Sequence, residues 1–286
     1  MRSPRRCFRL RARGHVLDLG LRTCLMGVLN VTPDSFSGDG CCSFEAACRR
    51  GGVLIRQGAD ILDIGGESTR PGARRLSARE EAARVVPVIR RLSSRRIPLS
   101  IDSYKPQVIR EALEAGASIV NVVQGTPVDD RILGLVRSSG AAIVLMHMRG
   151  TPRTMQTKTR YGELLSDVIK ELEKSVERCL KIGIKKEAII VDPGICFAKT
   201  VEQNFELIAG LGSFRRIGLP VLLGPSRKSF IGKTLDLPAE KRLPGTLAAV
   251  TAGILGGAHI VRVHDVGAVR QAATIADHIL LAEERT

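Results

Sequence analysis

Leu25-Met26-Gly27-Val28-Leu29-Asn30-Val31-Thr32-Pro33-Asp34-Ser35-Phe36-Ser37 decides how the rest of the chain reads. Its opening is apolar without alternation, the pattern of a strand buried on both faces. At Asn30 the run breaks into polar residues around a proline. A carboxamide at the end of a buried strand, followed by hydroxyls and an Asp, looks like one sector of an active site on a parallel α/β scaffold. The same transition recurs at Asp63-Ile64-Gly65-Gly66-Glu67-Ser68-Thr69-Arg70, Ser100-Ile101-Asp102, Asn121, His147, Asp192-Pro193-Gly194 and Arg262-Val263-His264. Buried polar groups cost free energy unless they are paired, so a core does not require so many of them on different strands.

Outward from that stretch, apolar runs ending near 64, 102, 123, 146, 192, 224 and 263 alternate with amphipathic segments. Ser43 is placed to cap a helix over 44–57, and Ser77 with Glu80 forms a capping box before a helix over 78–93. Further helices are expected over 105–116, 129–138, 161–182, 201–210, from 226, over 245–256 and over 267–284. Eight strands alternating with helices predict an α/β fold, a single (β/α)8 TIM barrel. Ahead of it, Phe8-Arg9-Leu10-Arg11-Ala12 and Val16-Leu17-Asp18-Leu19 flank a turn at Arg13-Gly14-His15, a β-hairpin expected to close the barrel bottom. Residues 1–7 are expected to be a basic, disordered tail and 8–286 the one domain.

The chain has 286 residues, 44% of them hydrophobic, enough for such a barrel, and with aromatics at 3% and no Trp the core must be aliphatic. No apolar run is long enough to cross a bilayer. The seven cysteines lack metal-ligand spacing, which favours reduced thiols in a cytoplasmic setting. The formal charge of +15 steers anionic ligands to the surface. No aromatics interleave the basic patches as a base-stacking platform requires, so the charge reads as a solvated surface rather than a nucleic-acid interface.

Asp102, Asn121, Asp192 and Lys228 supply two carboxylates, one amide and one ammonium, which together can read the edge of a flat heterocycle bearing donors and acceptors. A guanidine-like edge suits Asp192 as a bidentate acceptor. A turn or helix cap accounts for Asp192 and Asp102 equally well at this point. Arg262 and His264 lie two apart on a strand, point the same way, and suit a phosphate group. Ser226-Arg227-Lys228-Ser229 sits at a helix start, where free N–H groups favour an anion. No nucleophile–base pair accompanies these groups, and Cys196 reads as an inert packed thiol. The set fits a transferase that works by positioning and leaving-group stabilisation.

The motifs MGVLNVTPDSFSGDG at 26–40, DIGGESTRPGA at 63–73, SIDSYKP at 100–106, LMHMRGTPRTMQ at 145–156, VDPG at 191–194, SRKSFIG at 226–232 and IVRVHDV at 260–266 resemble the dihydropteroate synthase family, over about residues 8 to 280. The resemblance implies a homodimeric folate-pathway enzyme with small-molecule substrates. It joins 6-hydroxymethyl-7,8-dihydropterin diphosphate to p-aminobenzoate through an ionisation-first mechanism and is a target of sulfonamides. It implies that Asn30, Asp34, Thr69, Arg70, Lys228, Arg262 and His264 carry catalysis. Asp102, Asn121, Met146, Asp192, Phe197, Lys228 and Arg262 would hold the pterin. Phe36, Thr69, Pro71, Lys228 and Ser229 would hold p-aminobenzoate, and Asn30 would bind Mg2+. The chain departs from the family pattern at Val122, Ile195, Cys196, Ala198 and Pro225. Those departures leave a non-catalytic pterin-binding paralogue as an alternative, beside a pterin-dependent methyltransferase-like protein.

Overall fold

Strands buried on both faces need helices outside and side chains inside, and a closed ring of βα units supplies both. The computed structural model describes residues 5–32, 43–67, 75–123 and 127–283. A hairpin, β1 (Phe8–Ala12) and β2 (His15–Leu19), precedes β3 (Cys24–Asn30), α1 (Phe44–Arg56), β4 (Ile61–Gly65), α2 (Ala78–Leu92), β5 (Leu99–Asp102) and α3 (Pro106–Glu114). There follow β6 (Ile119–Val122), α4 (Asp130–Ser139), β7 (Ala142–Met146), α5 (Leu164–Ile182), β8 (Ile189–Asp192) and α6 (Val201–Ala209). The chain ends with β9 (Leu222–Leu223), α7 (Ser229–Leu235), α8 (Leu243–Leu255), β10 (Ile260–Val263) and α9 (Val266–Glu283).

The parallel sheet runs β8-β7-β6-β5-β4-β3-β10-β9, and a parallel bridge between Val191 and Val221 closes it into a barrel. β9 is shorter than the expected run from 220 to 224. Pro220 has no N–H to give to the ladder, and Pro225 follows Gly224 at the other end. The core is aliphatic as composition requires, with Phe214 and Phe230 its largest fully buried side chains. Ser43 caps α1 through Ala46 N–H, and the Ser77–Glu80 capping box opens α2. A second capping box, Thr200 with Gln203, opens α6 and was not anticipated from sequence.

The hairpin lies at the amino-terminal ends of the strands, where Leu10 and Ala12 are buried and Arg13 N–H donates to Gly140 O at 2.9 Å. The expectation of a disordered tail over 1–7 is corrected at Arg5. Its guanidinium is buried, 2.9 Å from Asp277 Oδ1 on α9, and it also donates to Thr23 Oγ1 at 2.8 Å and to Gly20 O at 2.9 Å. One basic residue of the tail thereby locks the start of the chain to the closing helix. Loss of either partner of a buried pair typically costs about 3–5 kcal/mol.

Candidate active site

Register brings the strand-end residues to one mouth. Asn30 pairs with Gly65, Gly65 with Asp102, and Asp102 with Asn121, so four neighbouring strands present one row of positions at their carboxyl ends. Met146 pairs with Asp192 on the far side. Register partners point to the same face, here the barrel interior.

Asp63, two residues before the end of β4, ties this row together. Its Oδ2 accepts from Asn121 Nδ2 at 2.9 Å and from Arg262 Nε at 2.6 Å. The other nitrogen of the fork, Arg262 Nη2, lies 2.7 Å from Asp102 Oδ2. One guanidinium therefore serves two carboxylates, a geometry a lysine cannot reproduce. Burial pushes the Asp102 carboxyl well above the usual range, Arg262 opposes this, and Asp63 adds to it. Asp63 is fully buried, and its Oδ1 has no hydrogen-bond partner among the described residues.

Asp192 is also buried, and its Oδ1 accepts from Gly194 N–H at 2.7 Å. Burial raises its pKa, against the pull of Lys228 and of that N–H. Gly194, at φ +72°, is required: a Cβ there would stand 1.9 Å from His147 O. Lys228 turns away from the short helix it precedes. Its Nζ donates to Ile195 O at 2.8 Å and stands 4.8 Å from the Phe197 ring centroid. Burial drives its pKa down, so this ammonium has given up water for fixed protein partners. A Cβ at Gly224 would touch both Lys228 Nζ at 3.8 Å and Arg262 Cβ at 3.6 Å, so the two side chains meet just past the end of β9. Val123, Met146, Met148, Met155 and Ala198 form a separate apolar cluster on which Phe197 packs, a flat, polarisable wall beside the polar row.

Arg262 bonds Asp63 and Asp102, whereas His264, one residue past the end of β10, meets Ser226. His264 Nδ1 lies 2.9 Å from Ser226 Oγ, which itself accepts from His264 N–H at 3.3 Å. The serine hydroxyl thereby fixes the orientation of the imidazole ring. Cys196 is half-buried rather than packed away, and Ser229 Oγ stands 3.6 Å from its Sγ. Cys196 and Ala198 hold φ of +68° and +54°, a strain of about 1–2 kcal/mol for each non-glycine residue. Asn30 is half-buried at the end of β3. Asp34, Phe36, Thr69, Arg70 and Pro71 lie outside the described residues. The described ends beside residues 68–74 are pinned by Glu67, which accepts from Leu76 N–H and Tyr104 Oη at 2.9 Å each and pairs with Lys105.

The description "Pterin binding enzyme" fits a family model that matches residues 26–264. The chain belongs to the pterin binding enzymes. Within that family it is 47% identical to the dihydropteroate synthase of Synechocystis, over 92% of each chain. The Yersinia pestis dihydropteroate synthase, solved in complex with a sulfonamide drug, superposes with a TM-score of 0.91 at 39% identity, covering 95% of this chain and 99% of that one. The Burkholderia cenocepacia enzyme, solved with 7,8-dihydropteroate, gives 0.88 at 37% identity, covering 98% and 99%. The function of this pterin binding enzyme is that of the dihydropteroate synthases.

Several residues of this pterin binding enzyme's site went unassigned from sequence. Asp63 is charged within the run Ile61-Leu62-Asp63-Ile64, a signal that it is paired, but nothing local names Asn121 and Arg262 as its partners. Met148 and Met155 could not be told from ordinary core. Lys199 and His147 are buried together behind the Phe197 wall, and only the fold brings them into contact.

Proposed function

We propose that the chain transfers the pterinylmethyl group of 6-hydroxymethyl-7,8-dihydropterin diphosphate to p-aminobenzoate, with diphosphate leaving first. The observation that carries this is the polar row of Asp102 and Asn121 with Asp192 and Lys228, facing one mouth beside the Met and Phe wall. The row supplies acceptors for the guanidine-like edge of a pterin and donors for its carbonyl edge. Met146 and Phe197 offer the faces against which the rings pack. The methylene C–O bond breaks with its electron pair going to diphosphate. The arylamine lone pair then forms the C–N bond, and the amine proton is lost to solvent.

That order asks for fixed charges and dipoles rather than a strong base. Arg262, half-buried and bonded to two carboxylates, is held rigidly for the purpose. His264 suits a diphosphate oxygen, and Ser229, beside Lys228, suits the p-aminobenzoate carboxylate. Asn30 offers Mg2+ a hard oxygen donor, and one such ligand fits an ion that keeps several waters and takes the rest of its shell from substrate. When bound, the ion neutralises charge on the leaving diphosphate. The protein acts as a homodimer in a reducing, cytoplasmic setting. Exposed Ile275 and Ile279, one helical turn apart on α9, support the first, and the free thiols of Cys7, Cys24, Cys48, Cys179 and Cys196 support the second. Among the described residues no helix is long and apolar enough to cross a membrane.

The test is condensation by the purified full chain. With Mg2+ and both substrates it is expected to release one diphosphate for each dihydropteroate formed, and chelation of the metal is expected to stop both. Pterin binding without condensation would overturn the assignment.

A further inference from the structure

The segment from Gly194 to Ala198 carries the Phe197 wall and the Ile195 carbonyl that holds Lys228, yet three of its residues, Gly194, Cys196 and Ala198, lie at positive φ. Left-handed backbone at non-glycine positions persists only where the surroundings over-determine it. What over-determines it here is a cluster behind the pocket. Glu171, on α5, lies 2.9 Å from His147 Nε2 through one carboxylate oxygen and 2.9 Å from Arg149 Nε through the other. From Glu171 two arms reach the segment. In the first, His147 Nδ1 lies 3.0 Å from Lys199 Nζ, and Lys199 Nζ donates to Phe197 O at 2.9 Å. In the second, the Arg149 guanidinium stacks 4.0 Å over the Tyr161 ring, and Tyr161 Oη donates to Ala198 O at 2.9 Å. The arms end on consecutive carbonyls of the strained segment.

The proton arrangement is self-consistent. With Lys199 donating to Nδ1, His147 carries its proton on Nε2 and donates it to Glu171. Burial, with Lys199 adding to it, holds the imidazole down to about 4, so it stays neutral. Burial works against the Glu171 carboxylate, but hydrogen bonds from His147 and Arg149 outweigh it and bring its pKa to about 2. His147 is closed to solvent and Lys199 is 3% exposed, so both act on a ligand only through the segment they hold.

We propose that Glu171, His147, Lys199, Arg149 and Tyr161 form a two-armed brace of positioning residues. By fixing the Phe197 and Ala198 carbonyls, it sets how closely the Gly194–Ala198 wall and Lys228 approach the pterin. The inference rests on the reading of this pocket as the pterin site. It separates pterin binding from leaving-group chemistry: a slackened wall weakens the grip on the heterocycle while Arg262 and His264, held by Asp63, Asp102 and Ser226, stay in place.

Two variants of the full chain test it, Tyr161→Phe, which deletes one hydroxyl, and Lys199→Met, which deletes one buried amine. Affinity for 6-hydroxymethyl-7,8-dihydropterin diphosphate with Mg2+ is measured by calorimetry, and KM and kcat by steady-state assay. Loss of one hydrogen bond to a wall carbonyl is expected to weaken pterin affinity about fivefold in Tyr161→Phe, and about tenfold in Lys199→Met, where His147 also loses its donor. KM for p-aminobenzoate should stay within about twofold, and kcat at saturating pterin should fall far less than affinity. A lowered melting temperature with wild-type pterin affinity in Tyr161→Phe would overturn the proposal and leave the cluster purely structural. So would a fall in kcat with affinity unchanged. Failure of the unmodified protein to bind the pterin is a separate outcome, which would overturn the pocket assignment and the brace with it.

Discussion

Arg262→Met is expected to abolish condensation and to cost about 3–5 kcal/mol of folding stability, the usual penalty for stripping one partner from a buried ion pair. The reason lies in the sharing of one guanidinium between Asp63 and Asp102. Without it a fully buried carboxylate faces a second one with nothing positive between them. The loss has a pH signature. Burial and Asp63 already push Asp102 up, and removing Arg262 removes the main opposing pull. A carboxyl whose pKa is higher folded than unfolded adds stability below the unfolded value and loses it as pH rises through the folded one. With Asp102 already raised to about 7 in the parent, the variant should fall further behind the parent as pH rises from about 7 towards 9, as read by urea midpoints across that range. Arg262→Lys should rescue little, because an ammonium cannot hold the fork geometry. A variant with parental stability and a parental pH profile would mean that the shared pair does not organise the site.

The second large effect is expected at Lys228. Lys228→Ala should lower kcat/KM for the pterin substrate by about a thousandfold, the scale seen when one preorganised donor is removed from a water-excluded site. Lys228 Nζ ties the Ile195 carbonyl, the Phe197 face and the field of Asp192 into one contact set. Because its burial is costly, deletion should leave the melting temperature little changed or raised, in contrast to Arg262→Met. Steady-state kinetics with a thermal melt separates the two cases. A loss of activity matched by a loss of fold would contradict a direct role for Lys228.

The alternation of apolar runs with amphipathic segments made the barrel legible, and local chemistry placed its caps: Ser43 and the Ser77–Glu80 box stand where the pattern put them. Asp102, Asn121 and Asp192 were legible for a related reason, since polar residues ending buried strands on this fold face one mouth. What stayed hidden depends on register or on strain. The Asp63–Asn121 and Asp63–Arg262 contacts join residues far apart in sequence, and no local pattern encodes them. Cys196 and Ala198 take left-handed backbone against their own preference, held by a cluster only the folded chain assembles. Arg5 read as tail because its partner, Asp277, lies on the final helix.

In the proposed mechanism diphosphate separates from the pterin before the arylamine bonds. This order is tested most directly with pterin diphosphate carrying a heavy-oxygen label in the position that bridges the methylene and the first phosphorus. The protein is given this substrate with Mg2+ and no p-aminobenzoate, and the substrate is recovered. Reversible ionisation predicts that the label moves into the non-bridging positions of that phosphate group. A label that stays in the bridge, with protein that condenses normally once p-aminobenzoate is added, would contradict the account and point to direct displacement by the amine.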